Sequence, residues 1–203
     1  DVSQNTALTV LSCSNNQLTT LDVSQNTALA SLLCYFNQLT SLDVTWNTAL
    51  IHLHCQNNQL TTLDVSNNTT LYYFQCQENQ LTSLDVSQNT VLITLVCNNN
   101  QLTSLDVRHG NNDSIIDFNT INNPNLTCID VDNAAWSTVH WWNFIDPQHY
   151  FSNNCSGTGI EESTTNKEFL RTIDVLGRET KGTNQPLFYI YDDGTVEKRI
   201  TIE

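Results

Sequence analysis

A spacing of 21 residues recurs through the first half of this 203-residue chain, most visibly in the cysteines Cys13, Cys34, Cys55, Cys76 and Cys97. Leucines, Asp-Val pairs and Asn-Gln pairs follow the same step. A period of this length is typical of a solenoid, in which each unit buries its apolar side chains against its neighbours. A 21-residue coil leaves no room for a full helix. We therefore expect two short parallel strands per coil and a low helix content.

The alternation within one unit predicts which side chains face the interior. Leu11 and Cys13 alternate with Val10, Ser12 and Ser14, which is the period of a strand. The predicted interior set of the first coil is Leu8, Leu11, Cys13, Leu18, Leu21 and Val23. Two Asn registers are predicted to form interior ladders that satisfy the backbone groups of the turns, one through Asn16, Asn37, Asn58, Asn79 and Asn100, the other through Asn5, Asn26, Asn47, Asn68 and Asn89.

The unit from Leu8 reads L-x-x-L-x-C-x-x-N-x-L followed by T-x-L-D-V, and it resembles the leucine-rich repeat in a short variant. The resemblance covers residues 1–131. It implies a mainly β fold, a solenoid with a parallel sheet whose outward strand positions line a binding face. Asp1 stands in the middle of a unit, so we expect further residues upstream.

The sixth coil departs from the pattern. Phe118 is interpreted as taking the Cys position, and three extra residues separate Leu102 from Leu126. Residues 132–156 are then predicted to cap the solenoid, with Asn133 at the start of a helix over residues 134–142. The aromatic face of this cap comprises Trp136, Trp141, Trp142, Phe144, Tyr150 and Phe151. The alternative is that this aromatic cluster forms a ligand-binding site. His140 and His149 are interpreted as cap surface.

The seven cysteines fall into two groups. The five that follow the repeat replace a core leucine, so we interpret them as small buried apolar residues, with metal binding as the alternative. They lack the CxxC spacing of zinc sites. Cys128 and Cys155 bracket the cap, and we predict a disulfide between them and an oxidising compartment.

Composition changes after a short joint at residues 157–162. Six of the seven Lys and Arg residues lie between Lys167 and Arg199, within predicted antiparallel strands and turns. Residues 163–203 resemble the type A C-terminal sorting domain of the bacterial type IX secretion system. The matching positions are Asp174, Gly177, Arg178, Gly194, Lys198 and Arg199. The resemblance implies a small antiparallel β-sandwich-like domain and export through an outer-membrane translocon, with a β-barrel shuttle protein as partner. A terminal β domain without a signal role is the alternative.

Charge excludes one class of partner. The net charge is −14, and no Lys or Arg precedes Arg108, whereas a nucleic-acid binder needs a basic face. The 27 Asn and 27 Thr residues supply the polar surface instead. No apolar run is long enough to span a membrane.

The outward positions of coils two to four hold a group of larger side chains, which we call the aromatic patch: Leu33, Tyr35, Phe36, His52, His54 and Tyr73. Such a group on a polar sheet suggests contact with a protein or glycan partner. The alternative is that these side chains reflect sequence drift on a surface under weak constraint and bind no partner. His52 and His54 could also hold a metal, although no third ligand is close in sequence.

Two further ladders allow other interpretations. The aspartates Asp22, Asp43, Asp64, Asp85 and Asp106 repel each other, so we expect turn N–H groups, nearby hydroxyls or calcium to offset the repulsion. The threonines Thr19, Thr40, Thr61, Thr82 and Thr103 resemble an ice-binding array.

The sequence as a whole favours a secreted or cell-surface leucine-rich-repeat protein that acts in binding or adhesion, without a cofactor. We expect no enzymatic activity, because no nucleophile has a base and an orienting acid nearby in sequence. One alternative is a structural spacer that presents a missing N-terminal domain, which could be catalytic. Ice binding is another.

Overall fold

A computed structural model describes residues 1–155 in full and, beyond them, the backbone of three strands at 169–173, 187–191 and 196–199. The chain divides into two compact units, Asp1–Cys155 and Ser156–Glu203. In the described part of the chain, no helix is both long enough and apolar enough to cross a membrane.

The first unit is a solenoid built on two parallel sheets, as predicted. The first sheet has six strands, one from each coil: β1 (Val10–Ser12), β2 (Ser31–Leu33), β3 (His52–His54), β4 (Tyr73–Gln75), β6 (Thr94–Val96) and β8 (Asp117–Asn119). The second sheet has four strands: β5 (Ser83–Asp85), β7 (Ser104–Asp106), β9 (Cys128–Asp130) and β10 (Tyr150–Ser152). All pairings in both sheets are parallel.

The prediction of two strands in every coil is wrong for the first three coils. Their second side is held by isolated backbone hydrogen bonds between coils, such as Gln59 N–H to the Leu39 carbonyl at 2.8 Å. A strand needs a continued ladder of such bonds. That ladder begins in coil four, where β5 pairs with β7.

The predicted interior positions form the core. From coil two onward each register is buried, including Leu32, Leu53, Phe74 and Leu95 at the centres of their strands. The ladder cysteines Cys34, Cys55, Cys76 and Cys97 are free and buried, and Cys13 is partly buried. Burial raises the pKa of the Cys34 and Cys97 thiols to about 12. The interpretation as small buried apolar residues is therefore confirmed.

Both Asn ladders are confirmed. The Asn58 amide donates to the carbonyls of Cys34 and Cys55, at 3.1 Å each, and its Oδ1 accepts from Leu39 N–H at 2.9 Å. At the other turn, the Asn47 amide donates to the carbonyls of Val23 and Asn26. From Asn26 and Asn37 onward, each ladder amide thus joins the turn of its own coil to that of the preceding coil.

The sixth coil corrects one residue assignment. Phe118 pairs with Leu95, a step of 23, so it takes the strand-centre Leu position and not the Cys position. Buried Thr120 occupies the position in coil six that a cysteine, such as Cys97, holds in the preceding coils. The shift arises because the loop before β8, which contains a 3-10 turn at Asn112–Ser114, is two residues longer than in the other coils. The third extra residue lies between Asn123 and Leu126.

The cap begins with the predicted helix. Helix α1 spans Ala134–His140, and the Asn133 side chain accepts from Trp136 N–H at 3.0 Å. The helix ends two residues earlier than expected and is followed by a 3-10 turn at Trp142–Phe144. Trp141 closes the stack, with its ring 4.1 Å from that of Phe118. Several other aromatic cap residues stay exposed, namely Trp142, Phe144 and Tyr150.

His149 is not surface, contrary to the prediction, whereas His140 is exposed and stacks on Trp136. The His149 ring is buried, and its Nδ1 accepts from Asp146 N–H at 3.1 Å. The Asp146 carboxylate in turn accepts from the N–H groups of Asn122 and Asn123, at 3.0 and 2.9 Å. In earlier coils the equivalent N–H groups donate to carbonyls of the next coil, as Asn99 N–H does to Ile121. For Asn122 and Asn123 the Asp146 carboxylate takes the place of those carbonyls, and buried His149 holds Asp146 in position.

The predicted disulfide is confirmed. Cys128 in β9 is bonded to Cys155, which follows β10, and their Cα atoms are 5.7 Å apart. The bond closes a loop with a sequence separation of 27 around the cap.

The second unit contains an antiparallel sheet of three strands: β11 (Phe169–Ile173), β12 (Leu187–Tyr191) and β13 (Val196–Arg199), in that order. The sandwich arrangement stays a prediction. Of the predicted sorting-signal residues, Lys198 and Arg199 belong to β13, while Asp174, Gly177, Arg178 and Gly194 lie outside the described residues.

Candidate functional site

The register of the first sheet decides which patch residues are neighbours. Ser31, His52 and Tyr73 lie directly opposite one another on β2, β3 and β4. Leu33 and His54 form the next outward row with Gln75. These outward residues are half-buried, while the centre of each strand is buried. The structure therefore brings Leu33, His52, His54 and Tyr73 onto one sheet face.

Ring stacking organises the middle of this face. The His52 and Tyr73 rings are nearly parallel, with centroids 5.0 Å apart and an interplanar angle of 8°. Tyr72 meets Tyr73 edge to face, also at 5.0 Å. Aromatic contacts of these geometries contribute about 0.5–1.5 kcal/mol beyond the burial of area. The rings are thus held in place before any ligand arrives.

Phe36 occupies a backbone position that penalises its side chain. One residue per coil at the turn after the first strand has a positive φ, and four of the six are asparagines, Asn15, Asn57, Asn99 and Asn122. Phe36 has a φ of 52° at this place in coil two. This conformation is unfavourable for a bulky residue, whereas Asn tolerates it. The Phe36 ring is 51% exposed and contacts the Tyr35 ring edge to face, 5.8 Å away.

Sequence reasoning missed two members of this surface. Ile51 and Tyr72 are exposed and directly precede β3 and β4. The repeat carried the signal, because two residues stand between the core leucines of an L-x-x-L segment. Strand alternation assigns only the second of these two residues, such as His52, to the outward face. The residue before it also faces solvent and widens the apolar surface.

The electrostatics of the face are nearly neutral. Burial, with a smaller contribution from the neighbouring His52, lowers the pKa of His54 and so favours its uncharged form. Glu78, at the turn after β4, is the one formally charged side chain among the outward residues of β1, β2, β3, β4 and β6 and the turns directly after these strands. A ligand meets rings, hydroxyls and amides here rather than ions.

The amides beside the rings are incompletely bonded. Gln56 Nε2 donates to Gln75 Oε1 at 3.4 Å, a long contact. The Oε1 atoms of Gln56 and Gln77 are buried and have no donor. A buried acceptor without a donor costs about 1–3 kcal/mol. These amides are therefore free to turn toward a ligand without breaking a strong bond.

His52 and His54 do not gain the further ligands that a metal site needs. Among residues 1–155 and the three described strands, no cluster of three or more His, Cys, Asp or Glu side chains is placed to hold a metal ion. The same finding leaves the calcium interpretation of the Asp ladder without a ligand set in this part of the chain.

The Asp ladder is satisfied by its own turns. Each Oδ1 accepts the backbone N–H two residues later, at 2.8 or 2.9 Å, through Ser24, Thr45, Ser66, Ser87 and Arg108. For Asp64, the Ser66 hydroxyl and N–H lower the carboxyl pKa. The turn N–H explanation is confirmed. Between neighbouring aspartates lie shallow grooves, one of about 280 Å³ with Asp64 and Asp85 in its wall.

The Thr ladder, the alternative ice-binding array, is exposed as expected, and Thr103 Oγ1 donates to the Thr82 carbonyl at 3.1 Å. Ice binding stays a prediction that no contact of these residues tests.

Comparison with known proteins supports the fold. No family model matches this chain, and no curated protein does. An internalin, InlF, from Listeria monocytogenes strain 4b F2365 is similar at 25% identity and a TM-score of 0.52, over 64% of this chain and 44% of that chain. The functional domain of InlJ from the same species, described as including a cysteine ladder, has 35% identity and a TM-score of 0.48, over 64% and 36%. This chain thus spans less than half of either protein.

Proposed function

We propose that this chain, a leucine-rich-repeat solenoid, is a secreted or cell-surface binding protein whose aromatic patch recognises a protein or glycan partner. The observation that carries the proposal is Phe36, a bulky and exposed aromatic in a left-handed turn position. Its side chain gives the core no packing in return for the strain. Strain retained at one surface position is a mark of function.

Two neighbouring features support recognition at this face. The stacked pair of His52 and Tyr73 lies on the two strands that follow β2 in the sheet. Exposed Ile51 and Tyr72 extend the apolar surface. Rigid aromatic side chains that are ordered in advance lose little entropy on binding and dominate interface energetics. Adhesion rather than catalysis is the role that such a face serves.

A printed array tests the proposal. The full chain is applied to immobilised fibronectin, laminin and collagen and to neutral, sialylated and sulfated glycans. We expect at least one probe to retain the natural chain, and Tyr73→Ala to reduce that binding tenfold or more. Trp46→Ala is the matched control, because Trp46 is 62% exposed and stands outside the patch. Equal binding by Tyr73→Ala and the natural chain, or no binding to any probe, would contradict the proposal.

We also propose that the chain reaches the surface through the type IX secretion system, with residues 163–203 as the signal for the translocon and its β-barrel shuttle protein. The support is the sequence resemblance at Asp174, Gly177, Arg178, Gly194, Lys198 and Arg199. Among the described strands, β11 and β13 are the outer strands of the antiparallel sheet, and strand addition takes place at outer strands. In a bacterium with this system, deletion of residues 163–203 should retain the protein in the periplasm. Unchanged export would contradict the assignment.

A further inference from the structure

The stacked rings of the patch leave their outer faces beside small side chains. Ser31 lies opposite His52 on one side of the pair, and Thr94 lies opposite Tyr73 on the other. Neither of these two neighbours has a ring, while Tyr72, next to Tyr73 in the chain, meets Tyr73 edge to face. The face of an aromatic ring is electron-rich and attracts polarised C–H groups. A pyranose ring presents C–H groups on one face and hydroxyls around its edge, which suits these positions.

Charge narrows the class of ligand. Residues 1–107 contain no Lys or Arg, so coils two to four, which carry the patch, offer no lysine or arginine to a sulfate, a carboxylate or an acidic peptide. On the face of the first sheet, Glu78 is the one formal charge among the outward residues of β1, β2, β3, β4 and β6 and the turns directly after them. Protein interfaces commonly include arginine and a charged rim, and this face has no arginine. Complementarity therefore favours a ligand without charge.

The amides next to the rings supply the remaining chemistry. Gln75 is in the strand that carries Tyr73, and Gln56 and Gln77 follow β3 and β4. A primary amide both donates and accepts, as a sugar hydroxyl does. The donor-free Oε1 atoms of Gln56 and Gln77 gain a partner if a ligand hydroxyl draws the side chains outward.

We propose that the aromatic patch binds a neutral oligosaccharide, with sugar rings stacked on His52 and Tyr73 and hydroxyls bonded to the glutamine amides. The inference rests on the proposed function of this face and names its ligand class. Phe36, at the same end of the strands as Gln56, bounds the site on the coil-two side.

The test uses the full chain and the same array, read probe by probe. We expect neutral hexose or N-acetylhexosamine glycans to retain the chain and the sialylated and sulfated forms of the same glycans to bind at least tenfold less. Tyr73→Ala should reduce neutral-glycan binding by about tenfold or more, and Gln56→Ala by about threefold or more. Trp46→Ala should leave it unchanged. Thermal melting of each variant checks that the solenoid is intact.

Each contrary outcome has a separate meaning. Stronger binding to anionic than to neutral glycans overturns the inference. So does binding to a matrix protein that persists after enzymatic deglycosylation and is lost in Tyr73→Ala, although that result leaves the proposed function standing. If neither Tyr73→Ala nor Gln56→Ala changes any binding, both the inference and the proposed function fail.

Discussion

The imidazole of His52 lies almost parallel to the phenol ring of Tyr73, 5.0 Å away, across two strands that are 21 residues apart in the chain. The contact exists because the repeat places every residue directly opposite its copy in the next coil. A substitution in one coil therefore acquires a neighbour at the same register. Two adjacent coils with aromatic or imidazole side chains produce a stack, where single exposed rings would otherwise be scattered.

Removing one interior amide should destabilise the solenoid strongly. The Asn79 amide donates to the carbonyls of Cys55 and Cys76, at 3.1 Å each, and its Oδ1 accepts from Leu60 N–H at 2.9 Å. Asn79→Ala leaves these buried groups unpaired, each at about 1–3 kcal/mol, so we expect a loss of roughly 3 kcal/mol or more. Denaturant unfolding measures it. Asn98→Ala, at an outward position, is the control and should cost less than 1 kcal/mol.

Phe36→Asn should stabilise the fold while it weakens binding. Asn accepts the left-handed backbone that Phe36 adopts at a φ of 52°, so we expect a gain of about 1 kcal/mol in the free energy of unfolding. The reverse change, Asn57→Phe at a φ of 57°, should destabilise by a similar amount. Thermal melting compares the two. A destabilised Phe36→Asn would show that the ring contributes packing that offsets its backbone strain.

Stability should fall as the pH drops from 7 to 5. Both ring nitrogens of His109 are buried without a partner, and burial lowers the pKa, partly opposed by Asp132. The unfolded chain then binds more protons than the folded one below the ordinary value near 6.5, so stability is full above that pH and is lost below it. His54 acts in the same direction.

His109→Phe should reduce this pH dependence, because it removes a group that titrates differently in the two states. His140→Gln, which removes an exposed imidazole from the cap, is the control. Melting temperatures at half-unit pH steps give the comparison. A slope that is identical in His109→Phe and the natural chain would assign the effect to other groups.

Reduction of the Cys128–Cys155 bond should loosen the cap. With a sequence separation of 27, the bond contributes about 3 kcal/mol in the chain-entropy description. We expect a lower melting temperature in dithiothreitol and a matching decrease in the double variant Cys128→Ser with Cys155→Ser. The double variant should show no further response to the reductant. A response would implicate the buried ladder cysteines, which the burial of their thiols argues against.

The 21-residue repeat determined the solenoid, the interior registers and both Asn ladders, because each follows from periodicity that is visible along the chain, and the disulfide partners were recognisable as the two cysteines that do not follow it. It did not determine how the pattern ends. The tertiary structure placed Phe118 opposite Leu95, buried His149 behind Asp146, and limited the second sheet to four strands. The first of these depends on the length of the loop before β8, and the other two on which backbone groups pair between coils or lack a next coil to pair with, and the repeat period encodes none of them.

The candidate site likewise has features that the sequence predicts and features that only the tertiary structure shows. Alternation along each strand was enough to select His52, His54 and Tyr73 as outward residues. The stacking of two of them, the exposure of Ile51 and Tyr72, and the left-handed turn at Phe36 required coordinates. Ring orientation and backbone φ are set by packing between coils, where the neighbour that matters is 21 residues away.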